Sequence, residues 1–162
     1  MKSKPLDQSV ADYLSSLEKV LDKRSLWNEK TLPMLKESLE AICDRHEIGW
    51  KVQELDWLWN NKAVNLMFES VPKALVKKAG GIRGFEFVKG AALVFSQKYN
   101  GDISVLILYP EVGDVASEKE FNDLGTYHPE TIDNLLIEKK VSEFLDEIMV
   151  WEENIIRPKV GF

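Results

Sequence analysis

Cys43 and His46 stand three residues apart, the separation that puts two side chains on one face of a helix. A thiolate and an imidazole so placed can share a metal ion or act as nucleophile and base. They have little company. His128 is the only other histidine, and the chain has one cysteine. Nothing places Cys43 at a helix N-terminus, where a thiolate would be favoured. The simpler reading makes Cys43 a small buried hydrophobe and His46 a helix C-terminal residue held by the dipole. His128, just before Pro129, reads as a cap. No metal and no cofactor are expected.

Carboxylates are the other candidates. Glu54 and Asp56 are two apart in an alternating segment, so they share a sheet face, with Asn65 expected opposite Asp56. Paired acids in a cleft transfer protons or bind metal; on an open face they are solvated residues. Ser96-Gln97-Lys98 has the lysine of a metal-nuclease Glu-x-Lys but a serine in place of the acid. Gly-x-Ser-x-Gly and the phosphate-binding Gly-x-x-x-x-Gly-Lys motif are absent. This inventory makes an enzyme the lesser alternative.

Anion binding has better support. Gly80-Gly81-Ile82-Arg83-Gly84 can present backbone N–H groups, and Lys73, Lys77, Lys78, Arg83 and Lys89 surround it with positive charge. Phe85 and Phe87 interleave with the cations and offer base-stacking surfaces. Residues 71–100 carry six basic side chains against one acidic. The whole chain is nevertheless at −6, with 21 basic and 27 acidic residues, which opposes a dedicated nucleic-acid binder. Residues 101–156 hold fourteen acids and three bases. Such asymmetry bears on partners rather than on fold.

The elements that position these groups can be read from periodicity. At 162 residues the length suits a single domain over 1–162. Val10, Tyr13, Leu14, Leu17, Val20 and Leu21 predict a helix over 9–24, opened by Ser9 and Asp12, with its apolar face on the core. Leu32, Leu35, Leu39 and Ile42 predict a second helix over 32–47, capped by Thr31. The two form a helical hairpin joined by 25–30.

The period then becomes two. Asn60-Asn61 suggests a two-residue turn pairing Trp57 with Val64, Leu55 with Leu66 and Gln53 with Phe68. A short helix follows over 71–79. Asn100-Gly101 predicts a second hairpin pairing Phe95 with Leu106 and Leu93 with Leu108, apolar on both faces and therefore central. Ser117 and Glu120 suggest a short helix ending at Gly125. His128-Pro129 opens a long helix in which Ile137, Val141, Phe144, Ile148, Trp151 and Ile155 form a stripe. From 129 to 155 it would run about 40 Å, so it must break, wrap an edge or project to a partner.

The fold expected is α+β: an antiparallel sheet of about four strands in two hairpins, against an N-terminal helical hairpin and a long C-terminal helix. The function expected is a non-enzymatic protein-binding module, a small acidic adaptor, chaperone or immunity-type protein. Phe144, Ile148, Trp151 and Ile155 would be its anchor, with Glu143, Asp146 and Glu147 steering a basic protein. Self-association into a homodimer through the same helix is the simplest form. Five tryptophans, Trp27, Trp50, Trp57, Trp59 and Trp151, are many for this length, and most suit a core. One cysteine rules out an intrachain disulfide, and no apolar run suggests a leader or a membrane span, so a cytoplasmic location without membrane contact is expected.

Overall fold

The computed structural model describes residues 4–56, 62–70, 72–79, 90–110 and 121–154. Helix α1 (Leu6–Leu26) passes through a π-helical turn (Trp27–Thr31) into α2 (Leu32–Arg45). Strands β1 (Trp50–Asp56) and β2 (Lys62–Phe68) follow, then a 3-10 turn (Lys73–Leu75) and α3 (Val76–Ala79). Strands β3 (Ala92–Gln97), β4 (Ile103–Leu108) and β5 (Phe121–Tyr127) lead through a 3-10 turn (Pro129–Thr131) to α4 (Asn134–Asn154). Among the described residues the sheet has five strands, one more than the periodicity suggests, in the order β1-β2-β3-β4-β5, and every pairing is antiparallel.

The helical pair is present, but its junction is helical rather than a loop. Thr31 keeps a helical conformation, and its hydroxyl donates to the Pro129 carbonyl at 3.1 Å instead of capping α2. Pro5, not Ser9, stands at the N-terminus of α1. Leu32, Leu35, Leu39 and Ile42 of α2 and Ile137, Val141, Phe144 and Ile148 of α4 are buried in one core with Val64, Leu66, Leu93, Phe95, Val105 and Ile107 of the sheet. Strand β3 lies between two neighbours and is buried along its whole length, as its apolar faces predict. Ala63, Ala92 and Val94 form a smaller cluster on the opposite face, with Leu55, Met67, Leu106 and Leu108 against it.

Both hairpin registers differ from the expectation. In the first, Trp50 pairs with Phe68, Glu54 with Val64 and Asp56 with Lys62. This is three residues from the Asn60-Asn61 register, and the odd shift exchanges the faces of β1. Trp50 and Val52 therefore join the helix-covered core, while Leu55 turns to the other side. The register is held at the end away from the turn. There the Trp50 indole N–H donates to the His46 carbonyl at 2.7 Å, and its ring stacks on Phe68 with centroids 5.9 Å apart. Residues 57–61, with Trp57 and Trp59, lie outside the described residues.

In the second hairpin Phe95 pairs with Val105 and Leu93 with Ile107, one residue from the expected register. The loop has three residues instead of two. Lys98 N–H donates to Asp102 O at 2.7 Å, Gly101 N–H to Lys98 O at 2.9 Å, and Gly101 has φ +93°. This is a turn closed by a glycine bulge. A Cβ on Gly101 would stand 2.6 Å from Cβ of Lys23 on α1. Gly101→Ala should therefore cost about 2 kcal/mol, from left-handed strain together with displacement of the base of α1. A urea midpoint that does not move would refute that packing.

Of the segment expected as a short helix ending at Gly125, the part from Phe121 is instead in edge strand β5 (Phe121–Tyr127), and residues 117–120 lie outside the described residues. Opposite Val105 two residues, Leu124 and Gly125, occupy the space of one, and Gly125 takes φ +114°. That bulge obscures the alternation on which a strand reading depends. The C-terminal helix also breaks early. His128 Nδ1 accepts from Glu130 N–H at 3.0 Å, as its cap role predicts, but Ile132 turns extended after one 3-10 turn. The remaining 21 residues of α4 span about 31 Å.

Candidate interaction surface

The stripe on α4 faces inward. Phe144 is fully buried, and Ile148 and Trp151 are nearly so. Phe144 stacks on Phe68 with centroids 5.4 Å apart, and Trp151 lies parallel to Tyr109 at 6.5 Å. These three are core residues and not an exposed anchor. Ile155 lies outside the described residues. Two of the acids have internal roles: Glu147 accepts from the Tyr109 hydroxyl at 2.6 Å, and Glu143 pairs with the buried Lys140 at 3.3 Å. Burial first, and then the Glu147 carboxylate, push the Tyr109 phenol well above its ordinary range. Asp146 is exposed.

The expected basic cluster is represented only in part. Lys77 and Lys78 are exposed on the four-residue α3, and Lys73 opens the 3-10 turn before it. Arg83, Lys89 and the glycine loop lie outside the described residues. Glu54 is neutralised on two sides, by Lys62 at 3.5 Å and Lys36 at 3.6 Å. Asn65 pairs with Gln53 rather than standing opposite Asp56.

Cys43 sits half-buried against the core. Burial, then the nearby Asp44 and Glu40, push its thiol from 9.0 to about 11. Iodoacetamide at pH 7 should modify it roughly a hundredfold more slowly than a free cysteine, whose pKa is about 8.5. Alkylation as fast as that of glutathione would show an activated thiol instead. His46 ends α2, and its carbonyl receives Trp50.

Between α2 and α4 runs a groove of about 510 Å³ with Met34, Ile42 and Ile137 among its lining. It is bridged by Arg45 to Glu138 at 3.3 Å and by the Ser38 hydroxyl donating to Asn134 at 2.7 Å. These bonds tie the two helices together.

Among the described residues half of the exposed large apolar side chains lie on α1, which overturns the expectation that this helix packs on the core. No residue of α1 is buried. Leu6, Val10, Tyr13, Leu14, Leu17 and Leu21 are all exposed, from 41% at Leu17 to 76% at Leu6. Among the described residues, the C-terminal part of the helix is what attaches it to the sheet. Lys23 Nζ pairs with Asp102 at 2.9 Å, and the Lys23 carbonyl accepts from Gln97 Nε2 at 3.3 Å. Arg24 donates to the Tyr99 carbonyl at 3.3 Å and lies 5.8 Å from the centre of its ring. Trp27, fully buried, fixes the start of the π-helical turn, with its indole N–H on the Lys62 carbonyl at 3.2 Å. Further out, residues 10–19 are exposed on every side of the helix.

No sequence signal separates this stripe from a core-facing one, because the spacing is the same. The distinguishing fact is three-dimensional: α2 and α4 already cover the inner face of the sheet. No described helix is long and apolar enough to cross a membrane. Comparison with family models, curated proteins and solved structures found no match.

Proposed function

We propose that the chain is a non-enzymatic protein-binding module that offers the apolar face of α1 to a protein partner. One observation carries this reading: six large apolar side chains lie exposed along one helix face. Contiguous exposed apolar surface on a folded protein is typical of interaction sites. The physical chemistry of the helix supports it as well. Isolated helices shorter than about 12–15 residues are marginal in water, and tertiary packing supplies most helical stability in proteins. The outer half of α1 lacks such packing within the described residues, and a docked partner would provide it.

The test is the double variant Leu14→Glu/Leu17→Glu. Both side chains are exposed, so at protein concentrations too low for association thermal stability should stay within about 0.5 kcal/mol of the parent. Every association that the parent chain makes, with itself or with a protein captured from host lysate, should be lost. If those associations survive the double variant at parental strength, α1 is not the docking element.

A further inference from the structure

Resting on that protein-binding reading of α1, we propose that its occupant is α1 of a second copy of this chain, packed antiparallel about a twofold axis. Val10, Leu14, Leu17 and Leu21 follow a 4-3-4 spacing, the alternation that lets one helix seat its side chains between those of another. Extending the series outward one step each way reaches Asp7 at one end and Arg24 at the other. Of the remaining charged side chains of α1, Asp12, Lys19, Asp22 and Lys23 project away from this line by helical geometry, and Glu18 flanks it. The seam is therefore apolar in its middle, acidic at its outer end and cationic at its base.

That charge order selects both partner and direction. In an antiparallel pair each Asp7 meets Arg24 of the other copy. Val10 then meets Leu21 and Leu14 meets Leu17, so all six layers are complementary. A parallel pair would set Asp7 against Asp7 and Arg24 against Arg24, and like charges so placed are destabilising. A twofold axis makes one surface serve as both halves of the contact. Tyr99 holds Arg24 at the base of the seam through its carbonyl and its ring. A guanidinium has five N–H donors, so it can keep that bond while facing a carboxylate.

Disulfide trapping tests the arrangement in the full chain. Val10→Cys and Leu21→Cys are made separately, each with Cys43→Ser. Residue 10 of one copy then lies beside residue 21 of the other, and about 16 Å from residue 10. On mild oxidation each variant alone should stay unlinked on a non-reducing gel. Their equal mixture should give a linked dimer, and parent protein should sediment as a dimer at roughly 100 µM, well above a micromolar Kd. Self-linking of Val10→Cys alone would overturn the antiparallel arrangement. A parent chain that sediments as a monomer at that concentration would overturn the second copy as occupant. If, in that case, Leu14→Glu/Leu17→Glu still abolished capture of another protein, the protein-binding reading would stand and only the self-pairing would fall.

Discussion

Phe144→Ala should remove about 3–5 kcal/mol of folding stability, the range for truncating a buried aromatic side chain. Total stability of a domain this size is about 5–15 kcal/mol, so the loss is a large fraction of the whole. Phe144 is fully buried and stands third in a series of rings: Trp50 on Phe68, interplanar angle 13°, and Phe68 on Phe144, angle 25°. It joins α4 to β2 and, through Phe68, to β1. Its removal opens a cavity where the C-terminal helix meets the sheet. The measurement is equilibrium urea unfolding followed by tryptophan fluorescence, to which Trp50 contributes with the other four tryptophans. Phe144→Leu should recover most of the loss, leaving about 1.5 kcal/mol. The same variant separates the two meanings of the α4 stripe. A partner-facing anchor would leave stability within about 0.5 kcal/mol and weaken only binding. A change below 1 kcal/mol would contradict the core placement.

The contrast between α1 and α4 shows how far periodicity reaches. Both helices carry apolar residues at three- and four-residue spacing, and both were legible as helices. Which stripe faces inward depends on how much sheet there is to cover and on which helix reaches it. That depends on the π-helical turn at Trp27–Thr31, which has no composition signature, and on the break at Ile132, whose only signal is Asp133, the cap that accepts from Leu136 N–H at 2.8 Å. Central β3 was legible because its residues are apolar on both sides. The registers were not, because each was read from its turn. In the first hairpin the Trp50 contacts at the far end decide the pairing, and in the second a glycine bulge adds a residue to the loop. Edge strand β5 was hidden by its bulge at Leu124 and Gly125 and by the Ser117 and Glu120 pair, which resembles a helix start. The proposed docking face was visible as a stripe from the outset. Its exposure could come only from three-dimensional packing.

Lys140→Met should cost about 3 kcal/mol, with the damage concentrated in β5. Lys140 is 5% exposed, and its ammonium donates to the Leu124 carbonyl at 2.9 Å, inside the bulge. It also pairs with Glu143 at 3.3 Å and lies 5.1 Å from the centre of the Tyr127 ring. Methionine keeps the aliphatic volume but leaves the Leu124 carbonyl with only the Tyr127 hydroxyl, at 3.1 Å, and Glu143 without its counter-charge. Hydrogen exchange should show lost protection over Phe121–Tyr127 while β3 stays protected. Uniform protection across the sheet would mean the amine does not hold the edge strand. The charge also sets a pH dependence. Burial alone would lower the Lys140 pKa, but its bonds to Tyr127 and Glu143 outweigh burial and raise it. A raised folded pKa gives stability that is complete below the unfolded lysine value of about 10.4 and is lost as pH climbs through the folded one. Cys43, raised from 9.0 to about 11, and Tyr109, also raised, have the same sign. The parent chain should therefore lose stability steadily above about pH 9. Lys140→Met should start lower and fall less steeply above about pH 10.4, because one of the three linked protons is gone. Urea midpoints measured from neutral to strongly alkaline pH decide the point. Parallel curves for the two proteins would show that the Lys140 proton is not linked to folding.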